Sequence, residues 1–339
     1  MIPEEKRSAV MRGLQEAFGV TGFDEISPVF GGRTDSLVLR IVVGGTPYLL
    51  KMIRRAEDPT RHYNCMRAAA EAGIAPTVWY TDVESKISIT DFVNAKPLAM
   101  SQALVGLPAL LRRLHALPPF ARAPFNTTCT FLVSRAPAQK GPALEGFLKS
   151  FRASGLLPEA DMAEFFTRYE EIAAAYWQDD GDLAASHNDL FKPDNILFDG
   201  ERILLVDWEA AFLNDRYADL AVVANQVVMR DDDELVFLRE YFGGEPDAYR
   251  RARFYVTQQL SHLFYTMAFL LAGSAGKPVD WSEAVPEVRD YQRRLWSGEA
   301  GLAEPAEKIA FARVNWARLL RNVRAPRYVE SLRMVSAGR

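Results

Sequence analysis

Apolar residues recur at the spacing of one helix face over residues 4–18, where Val10, Leu14 and Phe18 share a side and Gly19 ends the run. The period then changes. Residues 36–43 and 46–53 are rich in aliphatic and β-branched side chains and are split by Gly44-Gly45, which predicts a β-hairpin with a tight turn. A second hairpin is expected over residues 77–82 and 86–93, turning at 83–85. Between the hairpins, residues 59–72 have a helical pattern, with Pro59 suited to a first turn and Gly73 to a stop.

From about residue 100 the texture is helical. Residues 104–117 form one expected helix, ending against Pro118-Pro119. Residues 141–177 form more, with a break at 155–158. A compact β region is expected over 185–212, and residues 219 to about 336 are nearly all helical in pattern. The layout predicts an α+β fold of two unequal lobes: a β-rich N-terminal lobe over 1–97, a connector at 92–97, and a mainly helical lobe over 98–339. A cleft between unequal lobes is a common place for a ligand.

Composition narrows the class. The chain has 339 residues, 49% of them hydrophobic and 25% charged, enough apolar material for real cores and too much for disorder as the main state. Its 40 basic and 44 acidic residues leave a net charge of -4, which argues against a general nucleic-acid partner. Cys65 and Cys129 are the two cysteines. They make no disulfide framework, so a reduced, cytoplasmic setting is expected. The most apolar stretch, residues 262–273, is shorter than the ~20 residues needed to span a bilayer, and no targeting segment opens the chain. The expected partner is a small molecule, without nucleic acid or membrane insertion.

The chemistry concentrates in residues 186–221. His187, Asp189, Asn195 and Asp207 fall within 21 residues. Asp189 lies in a polar loop, and Asn195 opens the strand that follows. Asp199-Gly200 makes a turn, and the returning strand ends at Asp207. Such a hairpin brings Asn195 and Asp207 close. Phosphoryl transfer needs an acceptor hydroxyl held in line and cations on the phosphates. Asp189 can orient a hydroxyl and take its proton. Asn195 and Asp207 offer the hard oxygen ligands that Mg²⁺ prefers.

This segment resembles the catalytic region of the aminoglycoside phosphotransferase and choline/ethanolamine kinase superfamily, which shares its fold with protein kinases. The pattern H-x-D-x-x-x-x-x-N is matched by His187, Asp189 and Asn195, and the metal-binding aspartate of the family by Asp207 within VDWE. Asn214-Asp215 and the YADLA at 217–221 match the downstream pattern. HND, DWE and the AEAGIAP at 70–76 lean toward the choline/ethanolamine kinase branch. The resemblance implies ATP and Mg²⁺ as cofactors, Asp189 as the catalytic residue, and His187 and Asp219 as supports of the loop. It also implies that His115 is a packed core histidine. Lys192, inside the loop, would touch the γ-phosphate or be solvated, with solvation the preferred reading.

In the N-terminal lobe the resemblance places the phosphate-covering turn at residues 30–36, with Gly31, Gly32 and Thr34 toward the nucleotide. Lys51 takes the position of the nucleotide lysine. The backbone of Asp91 and Val93 takes that of the adenine contacts. One departure stands out. Relatives pair the lysine with a glutamate on the following helix, and here His62 falls at about that place; Glu57, Asp58 and Glu71 are nearby alternatives.

The acceptor implied by the branch is an amine-bearing alcohol like choline or ethanolamine. A cation wants carboxylates and aromatic faces. Asp189, Glu209 and the DDDE at 231–234 are available; Glu209, expected on a strand face shared with Asp207, suits either the cation or a structural salt bridge, and the DDDE run reads rather as a solvated helix start. Tyr255, Phe264, Tyr265, Phe269, Trp281, Tyr291, Trp296 and Trp316 supply aromatic rings, at spacings that also suit a helical core. A sugar or an antibiotic would suit the same machinery. The missing glutamate would also suit a nucleotide-binding regulatory module that transfers nothing.

Overall fold

The computed structural model describes residues 1–29, 36–122, 142–176 and 180–338. In chain order the helices and strands are α1 (Glu4–Phe18), β1 (Glu25–Pro28), β2 (Ser36–Val43), β3 (Thr46–Ile53), α2 (Thr60–Glu71), β4 (Val78–Asp82), β5 (Ile87–Asp91), α3 (Met100–His115), α4 (Pro142–Ser154) and α5 (Glu159–Ala175). Then come β6 (Leu183–Ser186), β7 (Ile196–Phe198), β8 (Ile203–Leu205), β9 (Phe212–Asp215), α6 (Arg216–Val227), α7 (Asp231–Phe242), α8 (Ala248–Ser274), α9 (Val288–Trp296), α10 (Pro305–Val323) and α11 (Pro326–Ala337). The α+β class with a sheet-bearing part and a helical part agrees with the expectation.

The chain divides into two compact units. Met1–Leu98 and Asp194–Phe212 form the first, and Ala99–Pro193 and Leu213–Arg339 the second. In the first, a five-stranded sheet runs β1-β2-β3-β5-β4. The β2–β3 hairpin turns at Gly44 and Gly45, with φ of 57° and 79°, a backbone region that glycine enters without a Cβ penalty. One face of the sheet buries Leu39, Ile41, Leu50, Met52, Ile87 and Ile89 under Val10 and Leu14 of α1. Gly13 permits that packing, because a Cβ there would lie 2.7 Å from the Tyr80 ring.

The β7–β8 hairpin belongs to this first unit. Its register pairs Ile196 with Leu205 and Phe198 with Ile203. Asp199 closes the turn by accepting the backbone N–H groups of Glu201 at 2.8 Å and Arg202 at 2.7 Å. The strand ends earlier than the pattern predicted. Residues Trp208–Ala210 form a 3₁₀ turn entered through Asp207, whose φ is 65° and ψ 63°. Asp207 and Glu209 therefore share one turn, and the expected common strand face is absent.

In the second unit, α8 is the central helix. It is buried on most sides, from Phe254 and Val256 to Met267 and Leu270, as a helix does when others enclose it. Polar residues on it are buried too, and each needs a partner: Arg253, Thr257, Gln259, His262 and Thr266. Among the described residues no helix is long and apolar enough to cross a membrane.

Candidate active site

Lys51 stands at the middle of β3, where its neighbours Leu50 and Met52 are buried. Its ammonium lies 3.0 Å from Asp207 Oδ1 and 2.9 Å from Glu209 Oε1. Glu209 also accepts from Arg55 Nη2 at 2.7 Å. Burial works against the lysine's charge, but Asp207 and Glu209 outweigh it and raise its pKa above the ordinary value.

The turn that carries both carboxylates is fixed from below. Arg61 on α2 donates to the carbonyls of Ala211 and of Glu209, the latter at 3.0 Å. A backbone bond from Val206 N to Asn195 O, 3.0 Å long, ties the end of β8 to Asn195. Asn195 is buried. The hairpin thus holds Asn195 and Asp207 in one small framework, with an amide and a carboxylate as oxygen donors. That donor set fits Mg²⁺, which takes few protein ligands and completes its shell with water and phosphate.

The alternatives for the lysine's partner resolve differently. His62 is buried, and its pKa falls to about 3, first through burial and then through the charge of Lys51. It is a neutral imidazole at the glutamate's place. Asp58 is engaged locally, accepting from the Thr60 N–H at 2.9 Å and its hydroxyl at 2.6 Å. Among the described residues the ion-pair partners of Lys51 are Asp207 and Glu209.

Gly31, Gly32 and Thr34 lie outside the described residues. Asp91 ends β5. Its N–H bonds to Thr77 O at 2.9 Å and its carboxylate accepts from Trp79 Nε1 at 2.7 Å; its carbonyl accepts from Thr90 Oγ1 at 3.4 Å and has a second lone pair for a base. Asp91 and Val93 line a cavity of about 460 Å³ together with Lys96, Asp199 and Arg202, and neither Lys51 nor Asp207 borders it.

In the second unit the loop after β6 is organised by Asp219 of α6. Its carboxylate accepts the N–H of His187 and of Asn188, both at 2.8 Å. His115 of α3 lies 3.3 Å from the same carboxylate and 2.7 Å from the Tyr241 hydroxyl. Burial alone would raise the Asp219 pKa; the bonds and charges of His115 and His187 lower it instead. Asn188 takes a φ of 65°, held by the Asn214 side-chain amide, which donates to its Oδ1 at 2.5 Å. Asp189 follows, half-buried, with Lys192 Nζ 3.4 Å from its Oδ2. Lys192 is thus partnered and half-buried, where the pattern had it solvated.

The aromatic candidates separate. Tyr265 and Phe269 stack around Phe191, at 5.0 and 5.5 Å between ring centres, and Phe311 lies 4.7 Å from Phe269. Trp281 bonds to Leu156 O at 2.9 Å, Tyr255 to Asn322 O at 2.9 Å, and Trp316 packs on Phe165. The DDDE run starts α7. There Asp233 accepts from Arg230 N at 2.9 Å, and Glu234 pairs with Arg327. Residues that the pattern left unmarked are Arg55, Arg61 and Asn188. Only their position beside marked residues could have pointed to them.

The profile of the phosphotransferase enzyme family matches residues 25–255. Two LicA proteins of Haemophilus influenzae are 28% and 26% identical over 98 residues, 27% of this chain. Those alignments cover 28% and 36% of the relatives, so the chain spans only about a quarter to a third of their length. A choline/ethanolamine kinase family protein from Mesorhizobium loti has the same fold with a TM-score of 0.64 and 20% identity, over 98% of this chain and 99% of that one. Choline kinase LicA from Streptococcus pneumoniae follows at 0.55 and 13%, over 87% and 100%. A spectinomycin phosphotransferase solved with ADP and spectinomycin gives 0.53 and 15%, over 91% and 98%.

Proposed function

We propose, from the premise that the chain belongs to the phosphotransferase enzyme family, that it moves the γ-phosphoryl group of ATP to a hydroxyl of a small molecule. A bond forms between the acceptor oxygen and the γ-phosphorus. The bond from that phosphorus to the β,γ-bridging oxygen breaks, ADP leaves, and the hydroxyl proton passes to Asp189. The observation that carries the reading is the joint placement of Lys51, Asp207 and Asn195 in one compact unit.

In this reading Lys51 contacts the nucleotide phosphates, and the turn at Gly31, Gly32 and Thr34 covers them. The Asp91 carbonyl and the Val93 N–H receive the adenine. Asn195 and Asp207 hold Mg²⁺, which neutralises phosphate charge when bound. Asp189 orients the acceptor hydroxyl and takes its proton as general base. His187 and Asp219 keep the loop in shape. The setting would be cytoplasmic, where ATP and reduced thiols are found.

The names of the relatives favour an amino alcohol such as choline or ethanolamine, or an antibiotic. Glu209, a candidate for such a cation, is already shared between Lys51 and Arg55. ADP release in the presence of Mg²⁺ and a panel of cationic, neutral and anionic hydroxyl compounds tests the activity. Nucleotide binding with no acceptor-dependent ADP release across the panel would sink it in favour of a binding module.

A further inference from the structure

Arg289 of α9 and Arg321 of α10 both act on Arg318 of α10, and none of the three has an ion-pair partner among the described residues. Arg318 is half-buried. Its pKa falls to about 10, through burial first and then the charges of Arg321 and Arg289. Its Nη1 donates to Asn225 O at 2.6 Å, a neutral acceptor. The other inward-facing arginines of this unit are matched: Arg253 by Asp215 and Asp182, Arg313 by Glu283, and Arg327 by Glu234. A partly desolvated cation among like charges favours an anion beside it.

Arg318 also borders two cavities of the helical unit. The first, about 30 Å³, is walled by Phe191, Tyr265 and Phe311, and no carboxylate lines it. Four side-chain atoms of its lining residues are buried with no partner: Asn225 Nδ2, Gln226 Oε1, His262 Nε2 and Tyr291 Oη. Asn315 donates its Nδ2 to Phe311 O at 2.9 Å, which turns its Oδ1 to His262 Nδ1 at 2.8 Å. His262 therefore carries its proton on Nδ1 and offers Nε2 as an acceptor. The second cavity, about 110 Å³, shares Gln292 and Arg318 with the first and adds Arg230, Arg289, Arg321 and Arg327. Its acidic residues are Asp231 and Glu234, and Glu234 is held by Arg327.

Phe191, the aromatic wall, stands two residues after Asp189. Two residues of extended chain reach at most about 7 Å. The polar cavity therefore adjoins the loop that bears the expected general base. An ammonium group in the first cavity would meet a guanidinium and no carboxylate. A carboxylate or phosphate would meet Arg318, and hydroxyls would meet the Nε2 of His262 and the Tyr291 hydroxyl.

We propose that the acceptor is a small hydroxyl compound carrying an anionic group, a carboxylate or a phosphate, with the anion seated on Arg318 beside Arg289 and Arg321. This rests on the phosphotransferase reading of the same loop and names the class of its acceptor.

The test is run on the full chain with glycerate, glycerol 3-phosphate, glycerol, choline and ethanolamine. Binding is read by calorimetry and turnover by ADP release with ATP and Mg²⁺. The expected result is that glycerate or glycerol 3-phosphate binds, and that Arg318→Gln weakens this about ten- to hundredfold while ATP binding holds. Arg318→Lys, which keeps the charge, is expected to recover part of the affinity, and its melting curve reports whether the fold survives. Glycerate against glycerol 3-phosphate separates carboxylate from phosphate. Anion binding that depends on Arg318 without turnover upholds the anion site and removes the phosphotransferase reading. Turnover of choline, ethanolamine or glycerol with no anion binding removes the site and leaves that reading intact. Binding of neither anion overturns the proposal, leaving the cavity to water.

Discussion

Glu209 accepts a hydrogen bond from Lys51 across 2.9 Å, although the two residues are 158 positions apart. The same carboxylate holds Arg55 at 2.7 Å. It supplies Lys51 with the carboxylate that the sequence pattern sought on α2, where His62 is instead a buried neutral ring. The lysine is thus anchored from the turn that also carries Asp207, the metal-ligand candidate.

Glu209→Gln is expected to keep the fold and loosen Lys51. The apparent KM for ATP should rise and kcat fall, with kcat/KM down about ten- to hundredfold, the loss of one charge-assisted bond. Adding His62→Glu to that variant should recover part of the loss by supplying a carboxylate from α2. Unchanged ATP kinetics in Glu209→Gln would remove the anchoring role.

Asp189→Ala should separate binding from chemistry. A general base contributes about 10²- to 10⁴-fold, so turnover should drop by at least about a hundredfold. The thermal shift given by ATP with Mg²⁺ should persist, because Lys51, Asn195 and Asp207 are untouched and sit in the other compact unit. Full activity in Asp189→Ala would falsify the assignment of the loop.

Much of this was legible in the sequence, for definable reasons. The β2–β3 hairpin announced itself through alternation and Gly44-Gly45, because period and turn chemistry are local. Lys51 was visible because it follows Tyr48-Leu49-Leu50 on an otherwise apolar strand, at the place where the resemblance puts a nucleotide lysine. Its partner was not visible. Glu209 lies far along the chain in a 3₁₀ turn, and no periodicity marks a contact made by tertiary packing. The strand face expected to be common to Asp207 and Glu209 failed because nothing local marks the 3₁₀ turn at Trp208–Ala210, which Asp207 enters at a φ of 65° and whose Glu209 carbonyl Arg61 holds from α2. Arg318 was invisible for a related reason: an arginine on a helix looks solvated until the helices around it are known.

Arg253 on α8 is fully buried, with its Nη2 2.7 Å from Asp215 Oδ2 and its Nε 3.2 Å from Asp182 Oδ2. Tyr176 donates to the same Asp215 oxygen at 2.6 Å. Removing one partner of a buried pair strands the other, at a cost of about 3–5 kcal/mol. Arg253→Met should lower the stability of the helical unit by that order in urea melts. Arg253→Met with Asp215→Asn should lose less than the sum of the single changes, since the buried Asp215 charge is removed with its partner while Asp182 keeps Arg216 at 3.5 Å. Simple additivity would show that the pair is not coupled.

Acid should destabilise both units through histidine. His62 lies near Lys51, Asp207, Arg61 and Arg55, and His262 near Arg318, Arg321 and Asn315; burial, with the nearby cations, takes each to about 3. An unfolded histidine takes up a proton below about pH 6.5. The folded chain refuses it until about pH 3, so the unfolded state binds more protons over that window. Stability should be flat in these groups above about pH 6.5 and fall below it by about 1.4 kcal/mol per pH unit for each histidine. The depressed carboxyl of Asp219 adds its own loss only further down, as pH falls below the ordinary aspartate range toward its lowered value. Urea melts at pH 7.5, 6.0 and 5.0 should show the decline, and His262→Gln should flatten the part that belongs to the helical unit. Equal stability at pH 7.5 and 5.0 would mean that neither ring is held neutral.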